Sequence, residues 1–117
     1  MIVVDASVAV KWFVPEPGTA EADSLIQSDA PRAAPEHLLA EVGQALLRQH
    51  REHDLPLDFC RAALSDLPGI VRLFPTEALA QDAFDIAAEG GCSVYNALYV
   101  AAAERWDGVV LTAETRS

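Results

Sequence analysis

The chain has 117 residues, of which 51% are apolar, and its formal net charge at pH 7 is −10. This length and apolar content predict a single domain, residues 1–117, with one hydrophobic core, and they exclude a disordered chain. The surplus of acids excludes a nucleic-acid binder that works through a broad basic face. A local site remains open, as does the use of some acids to hold divalent cations.

The apolar segments are too short for a membrane span, because the longest unbroken run covers only residues 97–103. No basic segment followed by an apolar one opens the chain, so we expect a cytoplasmic protein without membrane contact. Cys60 and Cys92 are isolated in the sequence and lack the spacing of zinc ligands.

The first part of the chain alternates short strands and helices. A β-branched run ends directly before Asp5, which therefore stands at the carboxyl end of a strand that is typical of a buried parallel sheet. Ser7 is predicted to cap the helix that follows. The predicted elements are a strand at 2–4, a short helix at 8–13, a helix at 20–27 and a strand at 30–34.

A long helix is predicted from Pro35 and Glu36 to about His53, with its apolar residues on one stripe. Glu41 lies at the edge of that stripe, where an unpaired carboxylate costs free energy, so it either faces solvent or serves a site. Gly43 costs about 1 kcal/mol relative to Ala in a helix interior, and it indicates a close backbone approach or a tight site.

The second half of the chain continues the alternation and contains the most apolar helix. That helix follows Ser93, a suitable N-cap, and carries one polar residue, Asn96, in its first turn. A helix that is apolar on nearly every face is expected to be buried. The predicted elements are a helix at 57–67 that ends at Pro68-Gly69, a strand at 70–74, a helix at 77–89 between a Thr76 cap and Gly90-Gly91, the Ser93-capped helix, and a strand at 109–112 before Glu114.

This order of elements predicts an α/β fold with a parallel central sheet of about four strands flanked by helices. Such sheets place their sites beyond the carboxyl ends of the strands, where Asp5 and Glu114 both follow a strand. With Glu41 and Asn96 from two helices, they are expected to line one acidic pocket. Oxygen ligands of this kind favour Mg²⁺ or Mn²⁺.

The segments that carry these residues resemble PIN domains, specifically the VapC-like toxins of type II toxin–antitoxin systems. The motifs are Ile-Val-Val-Asp5-Ala-Ser7-Val, Ala-Glu41-Val, Ser93-Val-Tyr-Asn96-Ala-Leu-Tyr99 and Leu-Thr-Ala-Glu114. They cover essentially the whole chain in the family's order. The third acid of the family is Asp, and here it is Asn96; Glu114 stands where the family usually has Asp. The C-terminal helix and edge strand of the family are expected to be absent after Ser117.

The resemblance implies a PIN-like three-layer fold and a metal-dependent endoribonuclease. The metal and catalytic residues would be the four just matched to the family, with Ser7 and Thr112 in support and Mg²⁺, or Mn²⁺, as the ion. It further implies an RNA substrate, a VapB-like antitoxin, a homodimer, and promoter DNA binding only through the antitoxin. From the high apolar content, Trp12 and Phe13 are predicted either to cover a groove for an amphipathic antitoxin helix or to belong to the core.

Two alternatives to an active nuclease follow from the same residues. A signalling receiver domain has a similar length and fold, but it needs paired acids after the first strand and a lysine late in the chain. Asp5 stands alone and Lys11 is the only lysine, which disfavours that class. A PIN-like module that binds a partner or nucleic acid without cutting is the stronger alternative, and Asn96 is the evidence for it.

Overall fold

The computed structural model describes residues 1–15 and 17–113. Its strands are β1 (Ile2–Val4), β2 (Arg32–Pro35), β3 (Arg72–Phe74) and β4 (Val109–Leu111). Its α-helices are α1 (Ala6–Ala9), α2 (Thr19–Gln27), α3 (Leu38–His53), α4 (Leu57–Ile70), α5 (Ala80–Gly90) and α6 (Val94–Arg105). Two short 3-10 helices, Val10–Trp12 and Glu77–Leu79, precede α2 and α5.

The four strands form one parallel sheet in the order β3-β2-β1-β4. Parallel neighbours cannot be joined by a tight turn, so each connection runs through helices that cover the sheet. Val3 and Val4 of β1 are fully buried, as expected for a strand between two neighbours. The predicted α/β class and the four-stranded parallel sheet are confirmed.

Helix α6 is buried over most of its circumference between residues 97 and 103 and is exposed at its start. Its residues at 97–99 and 101–103 pack into the core, whereas Tyr95 and Val100 are exposed. The predicted burial of this helix is therefore confirmed for residues 97–103, with Val100 as the exception. The alanines allow close packing on the inner side, and the outer side retains large apolar residues in contact with solvent.

Several helix starts differ from the sequence prediction. Asp5 rather than Ser7 caps the first helix, because its carboxylate accepts a hydrogen bond from the Val8 amide. Pro35 ends strand β2 rather than opening α3. Thr76 makes no side-chain cap, and a 3-10 turn separates it from α5. Ser93 does cap α6, by accepting a hydrogen bond from the Asn96 amide.

The predicted C-terminal ends of α5 and α4, at a Gly and a Pro respectively, have different outcomes in the structure. Gly91 ends α5 in the left-handed conformation, with φ of 71°, as predicted. Pro68 does not end α4, which continues to Ile70. A proline so near the C-terminal end removes one intrahelical hydrogen bond without blocking a long continuation.

Gly43 is not a point of close backbone approach. A Cβ at this position would lie 3.7 Å from the Leu64 side chain, which is an ordinary contact distance. The inference from its helix propensity was thus wrong. Within the described residues, no helix is both long and apolar enough to cross a membrane.

Candidate active site

Asp5 occupies the carboxyl end of β1 and is only 9% exposed. It has two local roles there, since its amide donates to the Leu111 carbonyl of β4 and its side chain caps α1. Oδ1 of the carboxylate accepts from the Ser7 hydroxyl at 2.5 Å and from the Val8 amide at 3.2 Å. Both hydrogen bonds from described residues end on this one oxygen, which leaves Oδ2 for another ligand.

Ser7 joins the start of α1 to the chain beyond β4. Its Oγ donates to Asp5, accepts from the Ala113 amide at 2.8 Å and lies 3.3 Å from Oγ1 of Thr112. The two supporting residues predicted from the sequence, Ser7 and Thr112, therefore do meet beside Asp5. The prediction for Glu114 lies outside the described residues.

Glu41 reaches toward the same edge of the sheet from the first turn of α3. Its Oε1 accepts a 2.5 Å hydrogen bond from the Tyr99 hydroxyl. Nε2 of His37, one helical turn earlier, lies 3.5 Å from this oxygen. The described residues place both of these groups against Oε1, so Oε2 remains available to a ligand. Glu41 is a partly exposed carboxylate with a buried partner.

Tyr99 connects the two acids. Burial, the hydrogen bond to Glu41 and the negative charges of Glu41 and Asp5 raise the pKa of Tyr99 far above its usual value, whereas a backbone hydrogen bond at Ala6 lowers it. The charges of both acids thus act on one phenol, which remains a protonated donor at neutral pH. Asp5 and Glu41 accordingly share a neighbourhood, although they are 36 positions apart in the sequence.

His37 fixes the start of α6 against α3. Its Nε2 donates to the Tyr95 carbonyl at 2.9 Å, and its ring lies 4.6 Å from the Tyr99 ring at a tilt of 38°. Its other ring nitrogen, Nδ1, is buried and has no hydrogen-bond partner among the described residues.

Two clefts open on either side of Glu41. One, of about 380 Å³, is lined by Ala6, Ser7, Glu41, Gln44, Ala45 and Arg48. The other, of about 390 Å³, is lined by His37, Ala40, Glu41, Gln44 and Tyr95. Glu41 and Gln44 belong to both, so the face of α3 that carries them borders a continuous surface next to the acids.

Asn96 lies in the first turn of α6 and is exposed. Its backbone amide donates a hydrogen bond to Ser93 Oγ at 3.0 Å. Tyr99 follows Asn96 by three positions and therefore lies on the same side of the helix. The sharing of one ion by Asp5, Glu41 and Asn96 remains a prediction.

The chemistry of these groups suits a hard divalent cation, because the available donors are carboxylate and amide oxygens. The number of acids limits how many charged ligands the site can offer to such a cation. Among the described residues, no group of three or more acid, His or Cys side chains is arranged to hold a metal. Asp5 and Glu41 are the two carboxylates of the site that the described chain supplies.

Sequence reasoning missed His37 and Tyr99 as site residues. The available signal was helical spacing, since His37 precedes Glu41 by four positions and Tyr99 follows Asn96 by three. Both residues were unremarkable in the sequence because a histidine or tyrosine at such a spacing is more often part of the core.

The parallel sheet, with Asp5 at the carboxyl end of a central strand and Glu41 on the adjacent helix α3, defines an α/β protein with a polar site at that edge. The family model of the PIN domain matches residues 2–116, and the chain belongs to this family. No curated protein matches the sequence.

Solved structures that share the fold include the following two. VapC20 from Mycobacterium tuberculosis, a toxin that cleaves the sarcin–ricin loop, superposes with a TM-score of 0.78 at 18% identity over 97% of this chain and 90% of its own. PAE2754 from Pyrobaculum aerophilum superposes with a TM-score of 0.76 at 22% identity over 97% of this chain and 74% of its own. Identities this low show a common fold.

Proposed function

We propose that this PIN-domain protein is a VapC-like toxin, a Mg²⁺-dependent endoribonuclease that a cognate antitoxin neutralises. The observation that carries the proposal is that Glu41, held by Tyr99, lines one cleft with Ser7, the hydrogen-bond partner of Asp5. Each acid has one oxygen held by protein donors and a second oxygen available to a cation. The family membership supports a nuclease, and the similarity to VapC20 supports a toxin.

Each residue has a distinct part in the proposed reaction. Asp5 and Glu41 would hold the cation, Asn96 would offer its amide oxygen, and Glu114 would add a further carboxylate. A divalent cation bound there supplies charge stabilisation for the scissile phosphate and lowers the pKa of a bound water. Ser7 and Thr112 orient Asp5 and tie it to the end of β4.

The proposal is tested by assaying structured and single-stranded RNA with Mg²⁺, with Mn²⁺ and with EDTA. Asp5→Asn and Glu41→Gln should abolish cleavage while the protein stays folded, because each amide keeps the oxygen that accepts the local hydrogen bonds. Asp82→Asn, which removes an acid in the first turn of α5, serves as the control and should cut normally. Cleavage that survives EDTA and both site variants would overturn the proposal.

A second function, a PIN-like module that binds without cutting, is favoured by one feature. Asn96 replaces the acid that the family carries at this position, and an amide adds no negative charge to the site. The two functions differ in one result. A protein that binds RNA yet cuts none of it, even as Asn96→Asp, is a binding module.

The proposed partner is a VapB-like antitoxin with an amphipathic helix. Trp12 and Phe13 are partly buried, and Trp12 Nε1 donates to the Ala22 carbonyl at 2.7 Å. Ala22, which accepts the Trp12 hydrogen bond, also lines a mainly apolar groove, together with Val8, Lys11, Gly18, Glu21, Leu111, Thr112 and Ala113. We expect an Arg or Lys of the antitoxin to reach the acids. A homodimer, and promoter DNA binding through the antitoxin, complete the proposal.

Co-expression with the product of the neighbouring gene tests this partner. A stable complex that Trp12→Ala weakens supports the groove. Purification of this chain alone, whenever the neighbouring gene is present, counts against a dedicated antitoxin.

A further inference from the structure

We propose that Tyr95 is the platform on which an unpaired base of the RNA stacks, next to the phosphate that is cut. This inference rests on the proposed nuclease function and specifies the substrate as RNA that is single-stranded at the cleavage point. It assigns to Tyr95 a role in binding and selection, separate from the acids that hold the cation.

The first observation is that Tyr95 is an exposed aromatic residue at an anchored position. It is 65% exposed, in the first turn of α6. Its carbonyl accepts a 2.9 Å hydrogen bond from His37 Nε2, and the neighbouring Asn96 amide is capped by Ser93. The backbone that carries the ring is therefore held by two hydrogen bonds. The entropic cost of ordering this backbone on ligand binding is small for that reason.

The second observation is the position of Tyr95 beside the acids. It lines one cleft with His37, Ala40, Glu41 and Gln44. A base on the Tyr95 ring would therefore place its own phosphodiester close to Glu41. Tyr95 also directly precedes Asn96, the residue matched to the family's third acid.

The third observation is a polar stripe along α3. His37, Glu41, Gln44 and Arg48 are spaced by four, three and four positions, which places them on one side of the helix. The stripe extends over roughly 16 Å at 1.5 Å per residue. It begins beside Tyr95 and ends at Arg48, which lines the second cleft. An RNA strand that follows the stripe would meet the Tyr95 ring first, then the Glu41 carboxylate, and last the Arg48 side chain.

These surroundings favour a nucleobase over the other ligands that an exposed tyrosine can bind. A phosphate seated on the ring itself would be repelled by Glu41, whereas a neutral base would not, and the phosphodiester beyond the base would lie at the proposed cation, which offsets its charge. An apolar peptide would bury the Gln44 amide and the Glu41 carboxylate without partners. A base stacks on the ring and can use the amide of Gln44 for its polar edge. Stacking on aromatic side chains is the general means by which proteins bind unpaired bases.

The test compares Tyr95→Ala, Tyr95→Leu and Tyr95→Phe in Mg²⁺-dependent cleavage of a short single-stranded RNA of mixed sequence. Loss of a stacked base weakens binding by about 10-fold, with roughly 5- to 150-fold as the range. We expect Tyr95→Ala and Tyr95→Leu to raise KM by this factor with little change in kcat, and Tyr95→Phe to retain the wild-type KM. Phe84→Ala is the matched control, because Phe84 is a 62% exposed aromatic residue on α5 outside both clefts.

A second arm modifies the RNA instead of the protein. One nucleotide at a time is replaced by an abasic unit, and binding is measured by fluorescence anisotropy in EDTA, so that no cleavage is required. For the wild-type protein, an abasic unit at one position should lower the affinity for the RNA by about 10-fold. For Tyr95→Ala, the same abasic RNA should bind as well as the intact RNA, because the stacking partner is already missing. Equal losses for both proteins at every position would overturn the inference.

These outcomes distinguish the inference from the proposed function. RNA that is cut equally well by Tyr95→Ala and by the wild type leaves the nuclease standing and removes the stacking role. The same result, combined with a weakened complex with the product of the neighbouring gene, assigns Tyr95 to a protein interface and also overturns the inference. If neither the wild type nor Asn96→Asp cuts RNA, the nuclease proposal fails, whereas the abasic arm still measures stacking.

Discussion

The hydroxyl of Tyr99 donates a 2.5 Å hydrogen bond to Oε1 of Glu41 across 58 positions of sequence. This contact joins the interior of α6 to α3 and determines which oxygen of Glu41 remains available. It also acts before any cation binds, because a protonated phenol offsets part of the cost of a carboxylate at a partly buried position. Glu41 is thus positioned by the fold itself.

Removal of this hydroxyl should change how stability depends on pH. The pKa of Tyr99 is raised in the folded protein, whereas a tyrosine in the unfolded chain loses its proton near pH 10. Below that pH both states are protonated and the hydrogen bond contributes fully. Above it only the unfolded chain releases the proton, so stability falls as pH rises, by up to about 1.4 kcal/mol per pH unit.

We therefore expect Tyr99→Phe to lose about 1–2 kcal/mol at pH 7 and to show a shallower decline above pH 10. Urea unfolding at a series of pH values measures both. Tyr95→Phe removes the same hydroxyl from an exposed position and is the control. An unchanged slope in Tyr99→Phe would mean that this phenol is not the buried donor.

The sequence predicted the order of elements because hydrophobic runs and Gly-Gly or Ser boundaries are local signals. The parallel sheet followed from their alternation, and the position of Asp5 at the carboxyl edge of the sheet followed from the geometry of parallel strands. The Tyr99–Glu41 contact could not be predicted in this way, since it depends on how two helices pack. The same limit applies to Val100 of α6, which is exposed although the residues on both sides of it are buried.

Cap residues show a related limit. Asp5 and Ser7 are both good N-caps, and propensity alone does not choose between them. The contact that distinguishes them comes from the segment after β4, because Ser7 Oγ accepts a hydrogen bond from the Ala113 amide. Asp5 therefore caps the helix, and the cap and the candidate ligand are one side chain.

The two roles of Asp5 can be separated by substitution. Asp5→Ala removes both the cap and the charge, so we expect a loss of about 1–2 kcal/mol of stability together with the loss of Mg²⁺ binding. Asp5→Asn keeps the accepting oxygen, so its stability should change by no more than about 0.5 kcal/mol while Mg²⁺ binding is still lost. Thermal unfolding without metal and calorimetric titration with Mg²⁺ give the two readouts. Equal Mg²⁺ affinity in Asp5→Asn and the wild type would remove Asp5 from the site.

Strand β4 depends on a glycine. A Cβ on Gly108 would lie 2.5 Å from the Met1 carbonyl oxygen, and that oxygen also accepts the Val109 amide at 3.2 Å. Gly108→Ala must therefore displace β4 from β1, and we expect it to cost about 1–3 kcal/mol. Because β4 leads to the Ala113–Ser7 contact, Mg²⁺ affinity should fall as well.

Gly90→Ala is the matched control for this substitution. Gly90 is the last residue of α5, and a Cβ at this position would meet no atom within 4 Å among the described residues. Alanine is the better helix former by about 0.5–1 kcal/mol, so the control should be neutral or slightly stabilising. Chemical denaturation ranks the two variants, and an equally stable Gly108→Ala would contradict the tight approach of the two strands.

The charge at position 96 should determine the strength of cation binding. Asn96 brings an amide oxygen without a negative charge, and its NH₂ group can donate to a neighbouring carboxylate without any metal. Affinity for hard cations rises with the number of charged ligands. Asn96→Asp should therefore raise Mg²⁺ affinity and ribonuclease rate together. It should also lower the stability of the metal-free protein, because a further carboxylate near Asp5 and Glu41 increases like-charge repulsion.

Gln81→Glu, which adds the same charge on the exposed side of α5, is the control and should change neither affinity nor rate. Calorimetry with Mg²⁺ and an RNA cleavage assay on the wild type and both variants decide the matter. If Asn96→Asp leaves affinity and rate unchanged, Asn96 does not belong to the site and its match to the family's third acid is wrong.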